Sequence, residues 1–213
     1  MRICLVPMKP LAGAKERLAP ALDPDERRRL SLAMLADVIA AAHGFDRVWV
    51  LQSDNDAAVV AQRFGADPRP DPAPGRGLNA SLDAATADAV SARATGVLVV
   101  AADLAAATAE DLRALAQGDG VALAPDAGGS GTNALWRHPA DVIGAAFGPA
   151  SRAAHEAAAA AAGAAFRTLN SPRLAADVDT SEALAAVWAL GPGPATRRAL
   201  EDMGIAARLR LAG

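Results

Sequence analysis

Three aspartates and two lysines have the types and positions to handle phosphate. Asp177 and Asp179 stand two residues apart in a stretch, 175–179, that reads as extended, so their carboxylates share a face. Asp103 lies just past Val97-Leu98-Val99-Val100, a continuous apolar run of the kind that forms a strand covered on both faces. Ligands of open α/β sheets collect outside the carboxyl ends of such strands. Neighbouring carboxylates repel unless a cation or proton lies between them. Mg²⁺ is a natural guest, a hard cation held by one or two carboxylates plus substrate phosphates. Spacing alone leaves a plainer account open, in which Asp103 closes a strand in a turn and Asp177 and Asp179 serve as helix-capping residues. Of 21 basic residues only two are lysine, Lys9 and Lys15, and both fall in the loop after the first strand. A compact ammonium suits phosphate, and codon drift toward arginine explains the bias as well. With Gly13 and Arg17, residues 7–17 form a candidate phosphate cradle. They match neither the P-loop nor the Gly-x-Gly-x-x-Gly pattern.

Further loops offer donors. Gly75-Arg76-Gly77-Leu78-Asn79 places flexible backbone and an amide at a helix start; Asn79 can read a base edge or simply cap the helix. Residues 128–133, with Thr132 and Asn133, and residues 148–151, with Gly148 and Ser151, supply backbone N–H groups and hydroxyls. The second stretch opens a helix, a ready anion site, and ordinary turn chemistry accounts for both equally well. His43 reads as a partner of a helix C-terminus, His138 as a loop residue beside Pro139, and His155 as lying one turn into the Ala-rich helix. No Ser or Cys nucleophile accompanies them, and no Cys/His spacing points to zinc.

Short apolar strands alternating with helices position these groups, the pattern of a largely parallel α/β sheet in one domain. Strands are expected at 3–6, 47–51, 97–100, 121–124 and 166–169. Helices are expected at 24–43, 55–64, 78–91, from Thr108, 151–162 and 181–190. Asp23-Pro24-Asp25-Glu26 has the form of a capping box with proline at the first helical position. Leu30, Ala33, Met34, Val38 and Ala41 form the buried stripe of that helix. Residues 67–77 contain four prolines and read as irregular. Residues 1–190 form the domain, and 191–213 a helical tail belonging to it.

The 213 residues suffice for one well-filled α/β domain, and 52% hydrophobic content excludes a disordered chain. A net charge of −3 argues against a nucleic-acid surface. The apolar runs are too short to span a membrane, and no signal peptide precedes the first strand. The single cysteine, Cys4, reads as a buried small hydrophobe. These features point to a cytoplasmic protein.

In order, several segments resemble the 2-phospho-L-lactate and phosphoenolpyruvate guanylyltransferases of coenzyme F-420 biosynthesis. They are Val6 through Leu18, Ala33 through Val38, Gly77-Leu78-Asn79-Ala80, Val99 through Leu104, Ala124-Pro125-Asp126, Gly131 through Leu135, Phe147 through Ser151 and Asp177-Val178-Asp179-Thr180. The resemblance implies a single-domain, mostly parallel sheet with flanking helices, a Rossmann-like nucleotidyltransferase similar to the nucleotide-diphospho-sugar transferases. It implies transfer of GMP from GTP to 2-phospho-L-lactate, phosphoenolpyruvate or 3-phosphoglycerate, with release of pyrophosphate. By the same resemblance Asp103, Asp177 and Asp179 hold Mg²⁺, and Lys9, Lys15 and Arg17 meet the triphosphate. Gly77 and Asn79 then lie in the GTP site, and Thr132, Asn133, Gly148 and Ser151 bind the acceptor. Asp103, Lys9 and Lys15 are the candidate catalytic residues, and the product passes to the next enzyme of the pathway. The sequence does not fix the acceptor or the oligomeric state; a homodimer stays open. Where family members carry Pro and Leu after the central Asp, this chain has Leu104-Ala105-Ala106-Ala107, which predicts a looser loop. Two alternatives stand beside this reading. One is another cofactor nucleotidyltransferase such as a molybdopterin guanylyltransferase, whose Gly-rich first loop is absent here. The other is a non-catalytic nucleotide-binding protein, which loss of one aspartate would have favoured.

Overall fold

A computed structural model describes residues 1–11 and 13–209. Its framework is a seven-stranded sheet in the order β3-β2-β1-β4-β6-β5-β7. The strands are β1 (Arg2–Pro7), β2 (Arg47–Gln52), β3 (Asp67–Pro70), β4 (Gly96–Val100), β5 (Gly120–Ala124), β6 (Ala134–His138) and β7 (Phe166–Thr168). All pairings are parallel except those of β6, which runs antiparallel to both β4 and β5. The helices are α1 (Pro24–Ala41), α2 (Asn55–Arg63), α3 (Leu78–Ser91), α4 (Ala109–Leu115), α5 (Ser151–Ala161), α6 (Pro172–Ala175), α7 (Ser181–Leu190), α8 (Pro194–Asp202) and α9 (Ile205–Arg208).

Alternation along the strands sorts the core onto two faces. Cys4, Val6, Val48, Val50, Leu98 and Val100 pack with α1, α2 and α4. Ile3, Leu5, Trp49, Leu51, Val97 and Val99 pack with α3 and with Ala159 of α5. In a third cluster Leu30 and Met34 of α1 meet Leu184, Val187, Leu200 and Ile205 of the C-terminal helices. Helix α1 is therefore covered on two sides. Its buried surface is wider than the predicted stripe: Leu35, Ile39 and Asp37 join it, while Ala33 is only half-buried. Its N-terminus carries the expected capping box between Asp23 and Glu26.

Two expectations about the strands need correction. Residues 67–70 are not irregular but form the edge strand β3, beside β2. The Asp71 N–H donates to the Gln52 carbonyl at 3.1 Å, so the odd-numbered nitrogens face β2. Pro68 and Pro70 have the opposite phase and turn their donorless nitrogens to the open edge, where no ladder bond is lost. Beyond it the chain is irregular, as expected, and Asp71 pins it by accepting from the Ala73 N–H at 2.9 Å and from the Ser81 hydroxyl at 2.5 Å. Strand β6 was not foreseen, and His138, read as a loop residue, is its last member.

The C-terminal helices are tied to α1 by one buried carboxylate. Asp37 is 5% exposed and accepts from the N–H groups of Ala195 (3.0 Å) and Thr196 (2.8 Å), capping α8. Gly193 lies so close that a Cβ there would stand 2.3 Å from the Asp37 Cγ. Residues 210–213 of the expected tail lie outside the described residues. We expect Asp37→Ala to cost about 2 kcal/mol of folding stability, read as a lower urea midpoint with early loss of hydrogen-exchange protection in α8. An unchanged midpoint would refute the anchoring role.

Candidate active site

Strands β1 and β4 are neighbours, yet their following segments turn to different elements, and a crevice opens at their carboxyl ends. Lys9 and Lys15 follow β1; Asp103 follows β4. The first loop is fastened from α1, where Arg27 donates to the carbonyls of Ala14 (3.1 Å) and Leu22 (2.9 Å). Lys15 itself has φ 54 and ψ 43, a left-handed conformation costing a non-glycine residue roughly 1 kcal/mol. That conformation accompanies an ammonium aimed into the acidic cluster. Lys15 Nζ donates to Asp103, and to Asp179 Oδ1 at 2.9 Å.

Asp103, Asp177 and Asp179 each offer an oxygen within 4.8 Å of the others. Val178 is fully buried between the half-exposed Asp177 and Asp179, so the two carboxylates share a face as the sequence predicts. Asn133 is buried at 7% exposure. Its amide donates to the Leu174 carbonyl (3.0 Å), the Ala175 carbonyl (3.3 Å) and Asp177 Oδ1 (3.2 Å). Its backbone joins β5 and β4: its N–H donates to the Ala124 carbonyl at 2.9 Å, and its carbonyl accepts from the Ala101 N–H at 3.0 Å. Asn133 thus orients an acid of the cluster.

The three charges respond differently. Burial works against the Lys15 charge, but the Asp103 carboxylate and the hydrogen bonds to Asp103 and Asp179 outweigh it and hold the ammonium above the ordinary lysine range. Burial raises Asp179, yet Lys15, with Arg17 and Lys9 beyond it, brings it below the ordinary range. Asp177 is raised, first by burial and then by the Asp103 and Asp179 charges, against the pull of Asn133. Asp177 is therefore the carboxylate least compensated by protein cations. An all-oxygen donor set of partly exposed carboxylates fits a hard divalent cation that keeps waters and substrate phosphates as further ligands.

The loop after β4 is not loose, contrary to the expectation from Leu104-Ala105-Ala106-Ala107. Leu104, Ala105 and Ala106 are buried. The Ala105 carbonyl accepts from the Gly193 N–H at 2.8 Å and the Ala106 carbonyl from Arg173 at 3.2 Å.

The remaining candidates lie apart from the cluster's direct contacts. Lys9 and Arg17 are exposed, as is Gly77, which precedes α3 with φ 88. Asn79 donates to the Phe147 carbonyl (3.0 Å) and accepts from the Phe147 N–H (2.8 Å), which leaves one amide hydrogen and one lone pair. Gly148 is exposed with φ 133, and Thr132 is half-buried. Ser151 is 1% exposed. The N–H groups of Ser151 and Arg152 are already bonded to the carbonyls of Gly148 (3.2 Å) and Ser130 (3.1 Å), so the start of α5 has fewer free donors than its sequence implies.

Sequence reasoning gave no role to His155, which is fully buried and bridges Thr132 Oγ1 (3.1 Å) and the Ala146 N–H (3.0 Å). It also passed over Arg137, a buried guanidinium that donates to the Ile143 carbonyl (2.8 Å) and to Thr86 Oγ1 (2.7 Å). With Asp83, which accepts from the Ala145 N–H at 2.8 Å, and Asn79, these side chains hold the irregular segment 143–147 through its own backbone. The only signal for His155 in the sequence was its place one turn after Ser151, on the same helix face.

Two outcomes test this geometry. A divalent cation and the Lys15 ammonium compete for the same oxygens, so Lys15→Met should bind Mn²⁺ about tenfold tighter than wild type without nucleotide, by titration calorimetry. Equal affinities would remove Lys15 from the cluster. Burial, helped by the Arg137 charge, pushes the His155 imidazole from 6.5 to about 4. Between those values the unfolded chain binds a proton that the folded one refuses, so stability falls as pH is lowered through that window. Urea midpoints at pH 7, 5 and 4 should show a shallower fall in His155→Asn.

The guanylyl transferase CofC-like family model matches residues 1–211. A phosphoenolpyruvate guanylyltransferase of Sphaerobacter thermophilus is 40% identical over 184 residues, covering 84% of this chain and 88% of that protein. That of Thermomonospora curvata is 43% identical over 200 residues, covering 90% and 85%. A crystal structure from Desulfovibrio desulfuricans G20, assigned to the nucleotide-diphospho-sugar transferases, superposes with a TM-score of 0.74 at 17% identity, covering 98% and 96%. The last likeness establishes the fold, and the first three, matching nearly the whole length over which the acidic cluster and its loops are distributed, establish that the chain belongs to the CofC-like guanylyl transferases.

Proposed function

We propose that the protein transfers GMP from GTP to phosphoenolpyruvate, with release of pyrophosphate. As a member of its family it is a nucleotidyltransferase acting on a small phosphorylated carboxylic acid in coenzyme F-420 biosynthesis. Phosphoenolpyruvate is favoured as the acid because the relatives at 40% and 43% identity carry that name. The observation that carries the reading is the acidic cluster with Lys15 inside it, at the carboxyl ends of β1 and β4.

In the reaction a phosphate oxygen of the acceptor attacks the α-phosphorus of GTP. The new P–O–P bond forms as the bond to the β-phosphate oxygen breaks, and pyrophosphate leaves with that electron pair. The acceptor phosphate is ionised at neutral pH, so no general base is needed. Catalysis is then positioning and charge neutralisation. Asp103, Asp177 and Asp179 would hold Mg²⁺, which would supply charge neutralisation for the phosphate oxygens. Asn133 keeps Asp177 turned toward the others. Lys9, Lys15 and Arg17 offset the charge of the triphosphate and of departing pyrophosphate. Gly77 and Asn79 serve the nucleotide side, and Thr132, Gly148 and Ser151 the acceptor side. No described helix is long and apolar enough to cross a membrane; we place the enzyme in the cytoplasm with its GTP supply, its product going to the next enzyme of the pathway.

The test is an assay with GTP, Mg²⁺ and phosphoenolpyruvate, 2-phospho-L-lactate or 3-phosphoglycerate in turn, scored for pyrophosphate and product mass. Phosphoenolpyruvate should give the highest kcat/KM, and ATP or CTP should replace GTP poorly. Asp103→Asn should lower kcat by about a hundredfold to a thousandfold with the fold intact. Near-normal turnover in that variant, or equal use of ATP, would overturn the reading.

A further inference from the structure

The environment of His155 fixes the direction of a hydrogen bond at the acceptor side. The ring is fully buried, one helical turn beyond Ser151. The Ala146 N–H lies 3.0 Å from Nε2. A backbone N–H only donates, so Nε2 must carry a lone pair, and the proton of the neutral ring sits on Nδ1. Nδ1 is 3.1 Å from Thr132 Oγ1. The Thr132 oxygen therefore accepts from the ring, and its own proton cannot point back at His155. A hydroxyl that is free elsewhere to donate or accept is left here as a donor. Protonating the ring would set an N–H against the Ala146 N–H. Burial and the Arg137 charge hold that form off, against a weaker opposing pull from the Ser151 main chain. The ring also stands edge-on to Phe147, with centroids 5.1 Å apart, beside Gly148.

We propose that His155 is a positioning residue that locks the Thr132 hydroxyl as a hydrogen-bond donor to an anionic oxygen of the acceptor. The inference rests on the reading of Thr132 as an acceptor residue. It adds a selectivity: groups that only accept, such as carboxylate or phosphate oxygens, are matched at Thr132, and a donor presented there finds no partner.

Three variants test it, each with KM for acceptor and for GTP measured separately. His155→Gln keeps an oxygen able to accept from the Ala146 N–H but brings no donor to Thr132. It should raise acceptor KM about tenfold to a hundredfold, the weight of one hydrogen bond to a charged group, with GTP KM within about twofold. His155→Asn, whose amide nitrogen stands near the place of Nδ1, should recover most of the loss. Thr132→Val should raise acceptor KM similarly, and Thr132→Val with His155→Gln should be no worse than Thr132→Val alone, because one acts through the other. An unchanged acceptor KM in Thr132→Val would show that Thr132 does not meet the acceptor, and the underlying reading fails. A raised KM in Thr132→Val with none in His155→Gln overturns the proposal and leaves that reading standing. Equal losses for GTP and acceptor in His155→Gln, with a lower melting temperature and no recovery in His155→Asn, show a purely structural histidine and also overturn it.

Discussion

The ammonium of Lys15 between the carboxylates of Asp103 and Asp179 is the contact on which the site's arrangement depends. It joins segments 88 and 164 residues apart in the chain. Three aspartate oxygens within 4.8 Å would repel if left to themselves. The Lys15 side chain is only 12% exposed, so solvent screens the pairing less than it screens an ordinary surface ion pair. Against it stand the left-handed backbone of Lys15 and the desolvation of the charges. Arg27 under the first loop, Gly193 against Ala105 and Asn133 against Asp177 bring the partners together, and each acts from outside the cluster.

The first and fourth strands, the capped helices and the pairing of Asp177 with Asp179 were legible because local rules dictate them: apolar runs, a capping box, a two-residue period. Strand β6 was not, because Ala134-Leu135-Trp136-Arg137-His138 carries a buried arginine and follows a glycine-rich stretch that reads as a loop. Its cationic side chain is tolerated inside by Thr86 and the Ile143 carbonyl, partners remote in sequence. Strand β3 was hidden by its prolines, whose effect depends on which edge they face, a tertiary fact. The firmness of the Leu104–Ala107 loop comes from Gly193 and Arg173, a contribution no local window contains.

The acidic residues announced themselves by type. The residues that hold other residues did not. Asp37 looks like any polar position on an amphipathic helix until α8 sits on it. Asn133 resembles a loop residue waiting for a ligand, and its amide is in fact bonded to Asp177 and two backbone carbonyls. His155 lies in an alanine-rich helix with nothing around it to suggest a bridge. In each case the information sits in a pairing across the chain, which spacing does not encode.

The segment 143–147 has no regular structure, yet Arg137, Asp83, His155 and Asn79 grip its backbone from β6, α3 and α5. Its shape is stored outside itself. A transplant of residues 143–151 into another protein of this fold would carry the sequence of the loop and leave its conformation behind. Redesign of this segment is a problem of moving a scattered set of side chains together, and a substitution at position 79 or 155 would reshape the loop as directly as one within it.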